Sequence, residues 1–363
     1  MYPQLNASAG LKQLRINLDL APQSAFKAKA TASAFRLQLD SLTIPPEGDK
    51  GASSGGKTDG GGSGHTSSGN TSKRTTAFHA TAGTAVIEWV AYDTASLDER
   101  FVHYRRLDDL ARMLHSASAR HPDLHTLDCV GYADDPSRSR YGVVYAAPSA
   151  SFDTLHARIA SADLKTPDLN DRILLAQRLA VALWSLHSLD WLHKSLCSAN
   201  VLFFPGAAEA AATAPTAAAA LIPDIARPFL AGFDASRPDL DADMSVAPRN
   251  PSILDLHRHP RSVSGLGVRG PYCKSYDVYS LGLVLLEIGL WKVLEKYHRP
   301  HYSAERWRDR IVLPVLVPEL GNKTGRRYRD VVERCLTAPV ELSSAEAGEL
   351  MEYVVSTLES INV

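Results

Sequence analysis

Residues 171–204, DRILLAQRLAVALWSLHSLDWLHKSLCSANVLFF, constrain the fold more than any other stretch, because a helix, a polar loop and a short apolar strand follow one another there. Ile173, Ala176, Ala180, Leu183 and His187 recur at helical spacing, with Leu175, Leu179, Ala182 and Leu186 as a second row beside them. A stripe that wide packs the helix on a core along most of its length. Asn170 and Asp171 are the expected caps, and residues 201–204, between Asn200 and Pro205, read as a buried strand. The polar residues from His193 to Asn200 are then held at both ends by apolar elements.

The chain has 363 residues, 45% of them hydrophobic, enough for a sizeable core in one large domain or two smaller ones. A formal net charge of −1 leaves no electrostatic footprint for nucleic acid or an anionic membrane, so neither is expected as a partner. Cys129, Cys197, Cys273 and Cys335 are far apart and form no C-x-x-C pair, which argues for reduced thiols and against a zinc site or a disulfide framework. The first twenty residues lack the apolar core of a signal peptide, and the longest nearly apolar run, 278–291, is too short to span a bilayer and contains Glu287. A soluble, cytoplasmic protein is the expectation.

Residues 46–75 are so rich in Gly and Ser that ordering them would bury too little apolar surface, so a disordered linker is expected there, after an N-terminal segment, 1–45, of helix or strand. The folded domain should then run from 76 to 363. Strands are expected at 85–92, 124–130 and 140–146, and helices at 98–116 and 151–159. Beyond the central stretch come an Ala-rich surface insertion at 206–226, a polar, Pro-rich segment at 238–271, and helices at 274–288, 329–336 and 348–361. His257 and His259 are expected to be exposed loop histidines, with no ligand spacing to support a metal.

Several of these stretches resemble protein kinases. His193, Leu196 and Asn200 stand at the matching positions of the kinase catalytic loop H-R-D-L-x-x-x-N, with Lys194 at the Arg and Ser195 at the Asp. Residues 230–237, LAGFDASR, are similar to L-A-D-F-G-L-A-R, with Gly232 at the metal-holding Asp and Asp234 two residues along. Residues 274–288, KSYDVYSLGLVLLEI, resemble the central helix of the kinase large lobe, and Asp277 matches the Asp that anchors the catalytic loop's backbone. The strand at 85–92 resembles the third strand, V-A-I-K, which puts Val90 at the phosphate-holding Lys. No G-x-G-x-x-G precedes it, and Pro260-Arg261 stands in place of the Pro-Glu of A-P-E.

The resemblance implies an α+β, two-lobed kinase-like fold, with a β-rich small lobe at about 76–147 and a helical large lobe at about 148–363. It also implies lost catalysis. A serine hydroxyl at 195 cannot take a proton as a carboxylate does, and the positions of the Lys, the metal-binding Asp and the glycine loop are all changed. ATP and magnesium are therefore doubtful cofactors, and the expected function is a pseudokinase that regulates or binds a protein partner. The pattern is also similar to degenerate kinase-like domains of fungal HeLo or prion-inhibition proteins, which implies cell-death signalling. The alternatives are an active kinase with rewired residues, using Asp234 or Glu88 for metal and Lys194 or a nearby Arg for phosphate, and a helical interaction domain unrelated to kinases.

Overall fold

A computed structural model describes residues 34–45, 74–92, 97–118, 120–205, 224–239, 256–263 and 271–361. Its first elements are β1 (Arg36–Leu37), β2 (Leu42–Thr43), β3 (Arg74–His79), β4 (Gly83–Ala91), α1 (Leu97–Ser118), β5 (Cys129–Asp135) and β6 (Arg140–Ala146). The strands form one six-stranded sheet in the order β1-β5-β6-β4-β3-β2, antiparallel except for the β1–β5 pair. Alternation along β4 divides its side chains between two faces. Ala85, Ile87 and Trp89 join Leu42, Ala77, Ala133 and Val144 in a small outer core, which leaves Val86 and Glu88 on the other face.

The expected start of the domain at 76 is too late. Arg74 and Thr75 are already in β3, and β1 and β2, from before the Gly/Ser stretch, are strands of the same sheet. Only 46–73 of the expected linker, like 1–33, lies outside the described residues. Gly131 makes the edge pairing possible. Its φ is +154°, and a Cβ there would lie 2.3 Å from the Phe35 carbonyl oxygen, which accepts the Tyr132 N–H at 2.8 Å. The strand expected at 124–130 is shifted. Residues Pro122–Leu124 form a 3-10 turn, and β5 begins at Cys129.

After β6 the chain turns helical. Short β7 (Asp153–Thr154) leads to α2 (Leu155–Ala160) and the long α3 (Leu169–Ser188). Asp168 holds the N-cap position of α3 without a side-chain cap, so neither Asn170 nor Asp171 caps it. Short strands β8 (Trp191–Leu192), β9 (Val201–Phe203), β10 (Phe229–Leu230) and β11 (Arg237–Pro238) flank the loop regions. They pair as β10-β9-β7 and β11-β8, which pins both ends of the 193–200 loop and of the 231–236 turn.

Next come a single turn, α4 (Pro260–Val263), and α5 (Lys274–Leu290), followed by α6 (Ala304–Arg306), a π-type segment over Trp307–Leu316, α7 (Val317–Thr324), α8 (Arg326–Leu336) and α9 (Ser344–Glu359). Every residue of α5 is buried, as its all-round apolar sequence requires of a helix at the middle of a bundle. Helices α3, α7, α8 and α9 surround it. The α+β expectation holds. Most of the Ala-rich insertion, 206–223, and most of the Pro-rich segment, 240–255 and 264–270, lie outside the described residues. Among the described residues, no helix is long and apolar enough to cross a membrane.

Candidate functional site

The site is built on Asp277, in the first turn of α5 and wholly buried. Its carboxylate accepts the backbone N–H of His193 at 2.7 Å and of Lys194 at 2.8 Å, and the Tyr272 hydroxyl at 2.9 Å, with His187 Nε2 at 3.3 Å. Burial alone would raise the carboxyl pKa, but His187, His193 and the Lys194 N–H outweigh it, so the group titrates below the usual carboxylate range. A buried carboxylate held this way fixes backbone that would not otherwise stay put. Lys194 has φ +68°, the left-handed region that non-glycine residues rarely adopt.

With the loop fixed, His193 points at the 231–233 turn. Its Nε2 lies 3.1 Å from the Ala231 carbonyl and its Nδ1 accepts the Ser195 N–H at 3.3 Å, which sets the proton on Nε2. The ring packs against Phe233 at 4.8 Å between centroids, and burial pushes its pKa down. Cys197 is buried and its thiol is pushed up to about 12, which makes it a small hydrophobe rather than a nucleophile.

Asn200 spends both ends of its amide on the protein. Nδ2 donates to the Ser195 carbonyl at 2.6 Å, and Oδ1 accepts from Arg74 at 2.6 Å. Arg74 reaches there from β3, donating also to the Ala199 carbonyl at 3.0 Å and to Glu88 Oε1 at 2.6 Å. Burial would lower the pKa of this guanidinium, and the Glu88 charge more than offsets that, leaving it above its ordinary value. Glu88 in turn accepts the Gly232 N–H at 2.8 Å, and its second oxygen accepts the Tyr145 hydroxyl at 3.2 Å. The pair is nearly dry, with side chains 10% and 6% exposed.

Gly232 closes the arrangement. Its φ is +84°, and a Cβ there would fall 2.3 Å from the Asn200 amide, so a side chain at 232 and the Asn200 position exclude each other. Asp234 follows in a 3-10 turn, within electrostatic reach of Arg106 on α1, whose pKa burial lowers to about 10. Lys194 Nζ lies 5.5 Å from the Tyr272 ring centre. Its ammonium is pulled down to about 7 by burial and then by Arg237, Arg106 and Arg258. Between sheet and helices, Val86, Glu88, Leu127, Tyr145, Leu202, Leu230 and Ala231 meet without room for a water-sized body.

His193, Lys194, Ser195, Asn200, Gly232, Asp234 and Asp277 are thus brought together, and Val90 is not. Val90 pairs with Tyr141 further along β4, while Glu88, two residues earlier and on the same face, is the residue that reaches the 231–233 turn. The histidines at 257 and 259 are also corrected, since both are buried. His257 Nε2 is 2.9 Å from the wholly buried Glu287 carboxylate, which needs a donor, and His259 stacks on Tyr276 at 4.6 Å. Sequence reasoning missed Arg74 by assigning it to the linker. The β-branched, aromatic run Thr75-Thr76-Ala77-Phe78 beside it was the available sign of a strand.

A nucleotide's phosphates and a metal ion do not fit these residues. The Arg74 guanidinium is already paired with the Glu88 carboxylate, position 232 bears no ligand, and the Asn200 amide is already engaged. Ligand sites ordinarily offer roughly 300–1,000 Å³ of cleft.

Residues 88–356 match a family described as a domain of unknown function (DUF7580). No curated protein matches the chain.

Proposed function

The chain belongs to the DUF7580 family, and from that premise and the closed site we propose that it is a kinase-like domain without phosphoryl transfer, a pseudokinase serving as a regulatory or protein-binding module. The reading is supported by the order of elements and by the loop anchored on Asp277, a bracing task that needs no chemistry. One observation carries the loss of activity. On this reading the Arg74–Glu88–Asn200 latch would lie where a nucleotide's phosphates have to be held, and it would present a buried carboxylate to them.

The partner on this reading is a protein, and the sequence likeness to fungal prion-inhibition proteins suggests a cell-death setting for it. The test is thermal unfolding of the full chain with ATP and, separately, magnesium, manganese or EDTA, beside a phosphorylation assay. A ligand at a hundred times its dissociation constant stabilises by about 2.7 kcal/mol, which moves the midpoint by roughly 3–5 °C for a chain of this size. The expected result is no shift and no transfer. Magnesium-dependent phosphorylation abolished by Asn200→Ala would overturn the reading in favour of the rewired kinase.

A further inference from the structure

We propose that His156, Glu287 and Glu295 form a site for a divalent first-row metal ion of the zinc or manganese class, apart from the closed cleft. The three residues come from α2, the end of α5 and the Leu294–Lys296 turn that follows it. One ligand atom from each, an imidazole nitrogen and two carboxylate oxygens, lies within 4.8 Å of the others. His156 Nδ1 and Glu295 Oε1 are 3.6 Å apart, too long for a hydrogen bond. It is near the spacing of two ligands on one ion, because bonds of about 2.0–2.2 Å in tetrahedral geometry set neighbouring donors about 3.3–3.5 Å apart.

Two further observations support the site. Glu295 Oε2 is shut off from water and has no hydrogen-bond donor, although a buried carboxylate oxygen ordinarily has one. Glu287 is wholly buried, so its carboxylate is held in one place by the groups around it. His257 Nε2 at 2.9 Å from one Glu287 oxygen and the Leu294 N–H at 2.9 Å from the other fix the carboxylate's orientation. That is how ligating carboxylates are oriented from behind. His156, with 30% of its side chain exposed, gives an ion access from solvent. One nitrogen and two oxygens suit zinc or manganese, with water completing the coordination.

The full chain, stripped with EDTA and dialysed, is titrated calorimetrically with zinc chloride and with manganese chloride, and cobalt is added as a visible-absorption probe of geometry. One equivalent of ion should bind, and His156→Ala and Glu295→Gln should each weaken it at least tenfold. Both positions are partly exposed, so both variants should keep the wild-type unfolding midpoint in EDTA, and His156→Gln provides a second variant if His156→Ala does not. Failure of both ions to bind the wild-type chain, or equal binding by wild type and the folded variants, would overturn the proposal. The readout is independent of whether ATP binds.

Discussion

Replacing Arg74 with Met tests the latch directly, because Met keeps the apolar stem and removes the guanidinium. Arg74 makes three hydrogen bonds, to Glu88 Oε1, Asn200 Oδ1 and the Ala199 carbonyl. Bonds involving a charged group contribute roughly 1.5–3 kcal/mol each, but three made by one rigid fork overlap and do not add. The larger effect is on what remains. Glu88, with a side chain 6% exposed, would keep a buried charge with only the Gly232 and Phe233 N–H groups and the Tyr145 hydroxyl as donors. Removing one partner of a buried pair costs about 3–5 kcal/mol, and that is the expected loss.

Glu88→Gln in the same background removes the stranded charge while keeping an oxygen for the Gly232 N–H. The double variant should therefore recover much of the loss, with a coupling energy of about 2 kcal/mol or more. Urea unfolding followed by far-UV circular dichroism gives all four corners of the cycle. The coupling should change little between 0.15 and 1 M salt, since buried pairs are weakly screened. A loss below about 1 kcal/mol for Arg74→Met, or additivity within about 0.5 kcal/mol, would show that the latch is not a buried, coupled pair.

Gly232→Ala should destabilise by at least the roughly 1–3 kcal/mol of a strained left-handed residue, because its Cβ would also displace the Asn200 amide; urea midpoints measure it. Lys194 carries a pKa pulled down to about 7. The unfolded chain, with an ordinary lysine near 10.4, binds more protons between those values, so stability should rise from pH 7 towards pH 10, and Lys194→Met should flatten that rise. Asp277 shifts the other way on the acid side. Its depressed pKa contributes stability present above the unfolded value near 3.9 and lost as pH falls through the folded value, so Asp277→Asn should remove part of the acid slope below about pH 4. Ser343→Ala breaks the capping box with Glu346 at the start of α9 and should cost about 1 kcal/mol, read by thermal unfolding.

Periodicity located α3 and α5 well because an apolar stripe, or an all-round apolar helix, has no competing reading at that length. Asp277 is singled out by the resemblance of 274–288 to the kinase central helix. It is one of two carboxylates in a helix buried along its whole length, and each has to be satisfied by donors from elsewhere. The errors came from composition. Gly and Ser between 46 and 73 say nothing about whether the flanking pieces pair with each other, and strands of two residues such as β1 and β2 carry too little pattern to read. The Val90 assignment failed through register. A shift of two along β4 keeps the face and moves the residue, and only the position of the 231–233 turn shows that Glu88 is the one opposite it. His257 and His259 were misplaced because a polar neighbourhood in sequence conceals the partners that α5 contributes, the buried Glu287 for His257 and the Tyr276 ring for His259.

The two halves of the site differ in what they require of the residues. Asp277 holds the loop by accepting backbone N–H groups, so its role depends on geometry and a charge, and survives any change in what the loop displays. The face opposite has been turned inward. Arg74, Glu88, Asn200 and the Gly232 N–H satisfy one another, and a ligand could bind there only by separating an ion pair that is nearly dry. That separation would leave Glu88 an uncompensated buried charge, at a cost of roughly 3–5 kcal/mol, so an intrinsic micromolar affinity, about −8.2 kcal/mol, would weaken to the order of a millimolar. A partner that needs the latch open must then supply that energy from contacts elsewhere, which favours a protein surface over a small molecule.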